Sequence, residues 1–210
     1  MIDSCPVTAL AWPEQAGVPL ARWSCAELAL ALGRGEQAPQ LGLEIATTLG
    51  GHALWLQASS DNVVTGNLIS QGMHGIAVGE ELLPSNRNVI QSNVVVDGLG
   101  VALSIIDSAD NQVLYNEFRD ALGGGIMLEL ARNTVIRGND LNGSKTGISL
   151  GESSNNIIES NNASGTLGTG IEVGDLSVSN EVLNNTASTN GGDGIAVEGS
   201  APLNQGALVT

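Results

Sequence analysis

Five carboxylates return at nearly one place in a repeating pattern. Glu80, Glu129, Glu152, Asp175 and Glu198 each follow a glycine by four or five residues. Laid on neighbouring strands ~4.8 Å apart, two such charges repel by about 1 kcal/mol in water. A row of them would suit a bound cation, and calcium, which prefers oxygen ligands, fits best. Two carboxyls facing each other at about 5–5.5 or 6.5–9.5 Å could instead cleave a glycosidic bond. The plainer reading, preferred on sequence, is a solvated acidic edge that keeps exposed strands from pairing with other chains. One repeat departs from the rule, because Asp107 lies seven residues after Gly100.

Three other residues could carry chemistry. His52 and His74, the only two histidines, stand one repeat apart at similar strand starts, which would bring their imidazoles near each other. A copper or zinc centre needs further ligands, and Met73 is the one suggestive neighbour. The metal at this pair, if any, is left open by the sequence. Lys145, the only lysine, sits in a loop before Gly147 and reads as a solvated side chain.

What positions these groups is a repeat. Asparagine recurs at Asn67, Asn93, Asn116, Asn139, Asn161 and Asn185, at intervals of 26, 23, 23, 22 and 24 residues. An aliphatic residue stands three places before each, from Val64 to Val182. A second series of glycine followed by alternating aliphatics begins at Gly75, Gly100, Gly125, Gly147, Gly170 and Gly194. A period near 23 with short β-type runs marks a solenoid. In Ile148-Ser149-Leu150 the alternation places the aliphatics inward and the serine outward. Residues two past each asparagine, such as Val95, Phe118 and Leu141, also face in. The asparagines read as structural: the type tolerates left-handed backbone at a turn and its amides can ladder between stacked strands. Asp61, Arg87 and Asp110 stand six residues before their asparagines and predict an alternating charge ladder that stops in the next coil, where Asn133 takes the place.

Composition narrows the partners. The 210 residues carry 22 acidic and 7 basic side chains, a formal charge of −15. Nucleic acid binding depends on basic side chains neutralising phosphates, and anionic membranes make the same demand. Neither is expected, and no run is long and apolar enough to insert into a membrane. Aromatic residues make up 2% of the chain, so the core must be stacked aliphatics. Residues 1–40 do not repeat. Within them Ser24, Glu27 and Gly33 frame a predicted helix over 24–32, expected to cap the first coil together with Trp12 and Trp23. Cys5 and Cys25 form either one disulfide or two buried thiols. The solenoid is expected over residues 41–200, with 201–210 a blunting tail or the start of another coil. The absent signal sequence and the abrupt last residues suggest a piece of a longer protein.

The segments NVVTGN, NTVIRGN and NNIIESNN, each followed by a loop and a Gly-Ile strand, resemble right-handed parallel β-helix proteins, in the style of the NosD-like and carbohydrate-binding or sugar-hydrolase families. The resemblance spans about residues 53–199 and implies an all-β solenoid of roughly seven coils, placed outside the cell or at its surface, with no cofactor required. It specifies turns and core positions, not a site. Lyases of this fold use a lysine or arginine base near calcium, and Lys145 stands alone here. Alginate-epimerase relatives carry Asp-Pro-His, which does not occur. The leading expectation is therefore a non-enzymatic scaffold presenting an acidic, polar face to glycans or proteins. The alternatives are a polysaccharide lyase or glycoside hydrolase, and a segment of a large adhesin. An enzyme would need long loops over the acidic row, and only Gly79–Arg87 is longer than its counterparts.

Overall fold

The structure, a computed structural model, describes residues 44–46, 51–70, 72–174, 176–198 and 208–209. The predicted helix over 24–32, both cysteines, Trp12, Trp23, Asp175 and Pro202 lie outside these residues.

Every strand pairs in parallel with the strand one coil away, giving three sheets that wrap one core. The first sheet joins Glu44–Ala46, Leu68–Ser70, Val94–Val96 and Glu117–Arg119. Single bridges carry it on through Asp140, Asn162 and Thr186. The second runs over seven strands from His52–Leu56 to Ile195–Val197, and the third over seven from Val63–Thr65 to Leu208–Val209. The chain therefore coils as a parallel β-helix, and no described segment is helical.

Short aliphatic strands suit this path because each presents one or two side chains inward per circuit. Val64, Ile90, Val113, Ile136, Ile158 and Val182 line the third sheet's inner face, at most 3% exposed. Val95, Phe118 and Leu141 are buried on the first, as expected. Ile148 and Leu150 are buried with Ser149 outward. Full burial of such side chains contributes roughly 1.5–3 kcal/mol each relative to exposure.

The turn asparagines behave differently from the expectation in one respect. Left-handed backbone falls on the residue before each: Gly66, Ser92, Tyr115, Gly138, Ser160 and Asn184 have φ between 54° and 70°. The asparagine itself turns inward, where its amide is worth more. Nδ2 of Asn93, Asn116, Asn139 and Asn161 donates to Oδ1 of the next asparagine at 2.9–3.0 Å. It also donates to a strand carbonyl one coil back, as from Asn116 to Ile90. A buried backbone group left unpaired costs about 1–3 kcal/mol, so one side chain answering three such demands per coil locks the corner.

Two further ladders accompany it. Asn62, Asn88, Asn111, Asn156 and Asn180 stand five residues before the turn asparagines, with Thr134 in the remaining coil. Oδ1 accepts from the preceding coil's backbone, as at Asn88 to Asn111, 2.8 Å, and Thr134 to Asn156, 2.9 Å. Three residues earlier come Ser59, Ser85, Ser108, Ser153 and Ser177, all buried. Ser85 N donates to Ser108 Oγ at 2.9 Å, and Ser153 N to Ser177 Oγ at 3.2 Å. The signal was an S-x-x-N spacing in five of the six coils.

The glycine series needs one correction. Leu103, not Val101, pairs with Ile76 and with Ile126, so Ala102 rather than Gly100 matches Gly75 and Gly125. This position is crowded by the neighbouring coil. A Cβ on Gly125 would lie 2.5 Å from Leu141 Cδ2 and 2.6 Å from Gly147 O. With Ala102 as the reference, Asp107 follows by five residues and stops being an exception. The charge ladder is bonded at its first step and stops at Asn133 as expected, with the Asp110 charge acting on Arg87 across the second step. Arg87 donates to Asp61 through Nε and Nη2, both at 2.7 Å, and the uncharged Asn133 donates from Nδ2 to Asp110 at 3.1 Å.

Candidate functional site

The outer face of the second sheet gathers most of the residues that could do chemistry. Its central outward row, one residue per coil, runs Trp55, Ala77, Ser104, Met127, Ser149, Glu172 and Ala196. Trp55 points out because Leu54 and Leu56 on either side point in, a placement the alternation already implied. Ala77 and Ser104 are 2% and 8% exposed although they face outward. Trp55 itself stays 38% exposed.

His52 and His74 pair in register at the start of this sheet. Their ring centroids lie 5.1 Å apart at 35°, and the His52 ring lies 5.5 Å from that of Trp55. Partial desolvation and then the approach of the second imidazole hold His52 below the usual histidine range, with Glu80 pulling the other way. Gly100 packs against His74: a Cβ there would lie 2.4 Å from Nδ1. Gln57 Nε2 donates to Glu80 Oε2 at 2.9 Å.

The acids flank this face on two registers rather than one. Glu129 pairs with Ile106 on one side and Gly151 on the other. Glu198 takes the corresponding place, its backbone N bonding Val173 O. Asp107 and Glu152 lie one residue further along, with Leu130 between them, as the backbone bonds Asp107 N to Glu129 O and Leu130 N to Gly151 O require. Glu80 belongs with this second set. The change of register sets Glu129 apart from Asp107 and Glu152, Glu80 and Asp107 share one register, and among the described residues no three acidic, histidine or cysteine side chains converge as a metal centre would need. The six turn asparagines are occupied with one another and with backbone, which leaves them structural.

A second feature borders the face. Backbone bonds stack Met73, Leu99, Leu122, Lys145 and Leu167 along the corner between the first and second sheets. All but Lys145 are apolar, and all are exposed. Lys145 thus interrupts an apolar corner and lies away from the acids. No helix among the described residues is long and apolar enough to cross a membrane.

Three parallel sheets around a ladder-lined aliphatic core define a β-helix protein. The family described as right-handed beta helix region matches residues 78–205, and the chain belongs to it. Its coil is similar to solved structures of the periplasmic alginate epimerase AlgG, with a TM-score of 0.68 and 23% identity to one mutant and 0.67 and 22% to another crystal structure of that enzyme. Each match covers 75% of this chain and 37% of the epimerase. The enzymatically active domain of bacteriophage CBA120 tailspike protein 2 aligns at a TM-score of 0.47 with 13% identity, over 68% of this chain and 27% of the tailspike. At these identities the likeness is one of fold. No curated protein sequence matches the chain.

Proposed function

We propose that the chain is the β-helix of a carbohydrate-active protein and holds a polysaccharide along the outer face of its second sheet. The observation that carries this is Trp55, an exposed indole at one end of the second sheet's outer face. An aromatic face stacked on apolar surface supplies what a pyranose ring needs, and polar neighbours orient it. Here Gln57 and Glu80 are those neighbours. Seven strands at ~4.8 Å give a surface roughly 30 Å long, enough for several sugar units in line. The fold shared with a periplasmic alginate epimerase supports the carbohydrate reading over that of a passive scaffold, and supports a periplasmic or extracellular setting. Catalysis by the whole protein, as lyase, hydrolase or epimerase, belongs to the same reading.

A panel of neutral and uronic-acid polysaccharides, assayed for binding and for new reducing or unsaturated ends, tests it. Trp55→Ala is expected to weaken binding about tenfold, the value of one aromatic contact of roughly 1.4 kcal/mol. Binding untouched by that change would remove the face from the proposal. Binding without any product would leave the chain a recognition module.

A further inference from the structure

We infer that His52 and His74 form a surface site for a divalent cation of the zinc, nickel and copper(II) kind. The two residues occupy one register on adjacent strands, with ring centroids 5.1 Å apart. Zinc–nitrogen bonds are about 2.0–2.1 Å, so two imidazoles this close reach one ion after small rotations of their side chains. Neither ring is a free rotor. Trp55 stands beside His52, with centroids 5.5 Å apart at 42°. His74 lies against Gly100, where any side chain would strike its Nδ1.

The surrounding charge favours a cation. Glu80 is the carboxylate that acts on His52, and Gln57 fixes it by a 2.9 Å hydrogen bond. Imidazole nitrogen selects zinc, nickel and copper over calcium and magnesium, which require oxygen. Two protein donors leave the remaining positions to water or to oxygens of a bound molecule, so the site is open and exchangeable.

The chain contains only these two histidines, which makes the test direct. Imidazole nitrogen resonances of the full chain are followed by NMR during titration with zinc chloride, in excess calcium so that carboxylate sites are saturated. Both histidines are expected to shift together and to reach their endpoint at about one equivalent, as ligands of one ion do. His52→Asn and His74→Asn should each weaken zinc binding, measured by calorimetry, by at least the roughly 10–100-fold that loss of a supporting partner costs. Shifts of one histidine alone, or of neither, would overturn the site. So would unchanged affinity in the double variant, which would assign the ion to the cysteines or acids instead. Since the titration reads the unaltered protein, a variant that fails to fold does not shelter the inference.

Discussion

Asn139 Oδ1 accepts two hydrogen bonds from Asn116, one from the backbone N at 2.8 Å and one from Nδ2 at 2.9 Å. Its own Nδ2 donates to Val113 O and Asn161 Oδ1 at 2.9 and 3.0 Å. Asn139→Ala therefore takes the partner from a backbone donor, a side-chain donor and the Val113 carbonyl in a dry corner, while Asn161 Oδ1 keeps the bond from the backbone N of residue 139. At about 1–3 kcal/mol for an unsatisfied buried group, a loss of roughly 3 kcal/mol or more is expected. Asn139→Asp keeps the acceptor but sets a carboxylate against Val113 O and Asn161 Oδ1, and should be no better. Urea unfolding checks both, and a midpoint unchanged by alanine would show that the ladder does not hold the coils together.

Two glycines four residues apart should respond in opposite ways. At Gly147 a Cβ would lie 2.4 Å from Gly170 O and 2.7 Å from Ala163 Cβ. At Gly151 nothing lies within 4 Å, and its φ is ordinary for any residue. Gly147→Ala is expected to cost at least ~1–3 kcal/mol through overpacking. Gly151→Ala should be neutral, or stabilise by up to ~1 kcal/mol by restricting the unfolded chain. Thermal melts of the pair decide it. Equal effects would mean that the corner relaxes around a methyl group.

How far these features could be read from residues alone depends on how narrowly the backbone restricts the residue type. The turn asparagine was legible because few side chains can bond a carbonyl, a backbone N–H and their own kind at once. The inward aliphatics were legible because a two-residue period has one solution for a buried face. The small residue at the sheet corner was harder, since the constraint is room for Cβ and Ala102 satisfies it as Gly125 does. Gly100 then competed for the alignment. Counting from the turn would have resolved it, because Leu103 and Ile126 each follow their asparagine by ten residues. The S-x-x-N ladders are as regular in spacing as the turn asparagines, but serine and asparagine are also common in exposed turns. Of the candidate site, the histidine pair was foreseeable from equivalent positions. The split of the acids into two registers was not, because a difference of one residue moves a carboxylate along the face without changing the look of the repeat.

The Asp61–Arg87 pair makes a pH prediction whose sign follows from its geometry. Hydrogen bonds from Arg87 hold the Asp61 carboxyl below its usual range, against a lesser opposing effect of desolvation, with the Arg87 charge adding a smaller pull in the same direction as the bonds. A depressed folded pKa means that the pair's contribution is present above the unfolded value of about 3.9 and disappears as pH falls through the folded one. Near neutral pH the pair's contribution should thus be present and independent of pH, and it should be lost only as the solution is made acid. Carboxyl NMR is expected to find Asp61 titrating below ordinary aspartates, moving up toward about 3.9 in Arg87→Ala. Identical midpoints in the two proteins would show that the two side chains do not stay together in solution.

Tyr115 holds a left-handed backbone with φ 54°, where other coils place Gly66, Gly138 and Asn184. For a bulky residue that conformation costs roughly 1–2 kcal/mol. The ring recovers part of the cost by lying on Gly138 of the next coil, where a Cβ would stand 2.5 Å from Cδ1. Gly138→Ala consequently suffers twice, from its own φ of 68° and from collision with the ring. Replacing Tyr115 by asparagine removes the ring and suits the turn, so Tyr115→Asn alone should leave stability unchanged or raise it. In that background Gly138→Ala should retain only its conformational cost. The two substitutions must then be non-additive, with a coupling of order 1 kcal/mol in a double-mutant cycle. Strict additivity would mean that the tyrosine ring leaves Gly138 in solution, and the strain at Tyr115 would then have no contact to offset it.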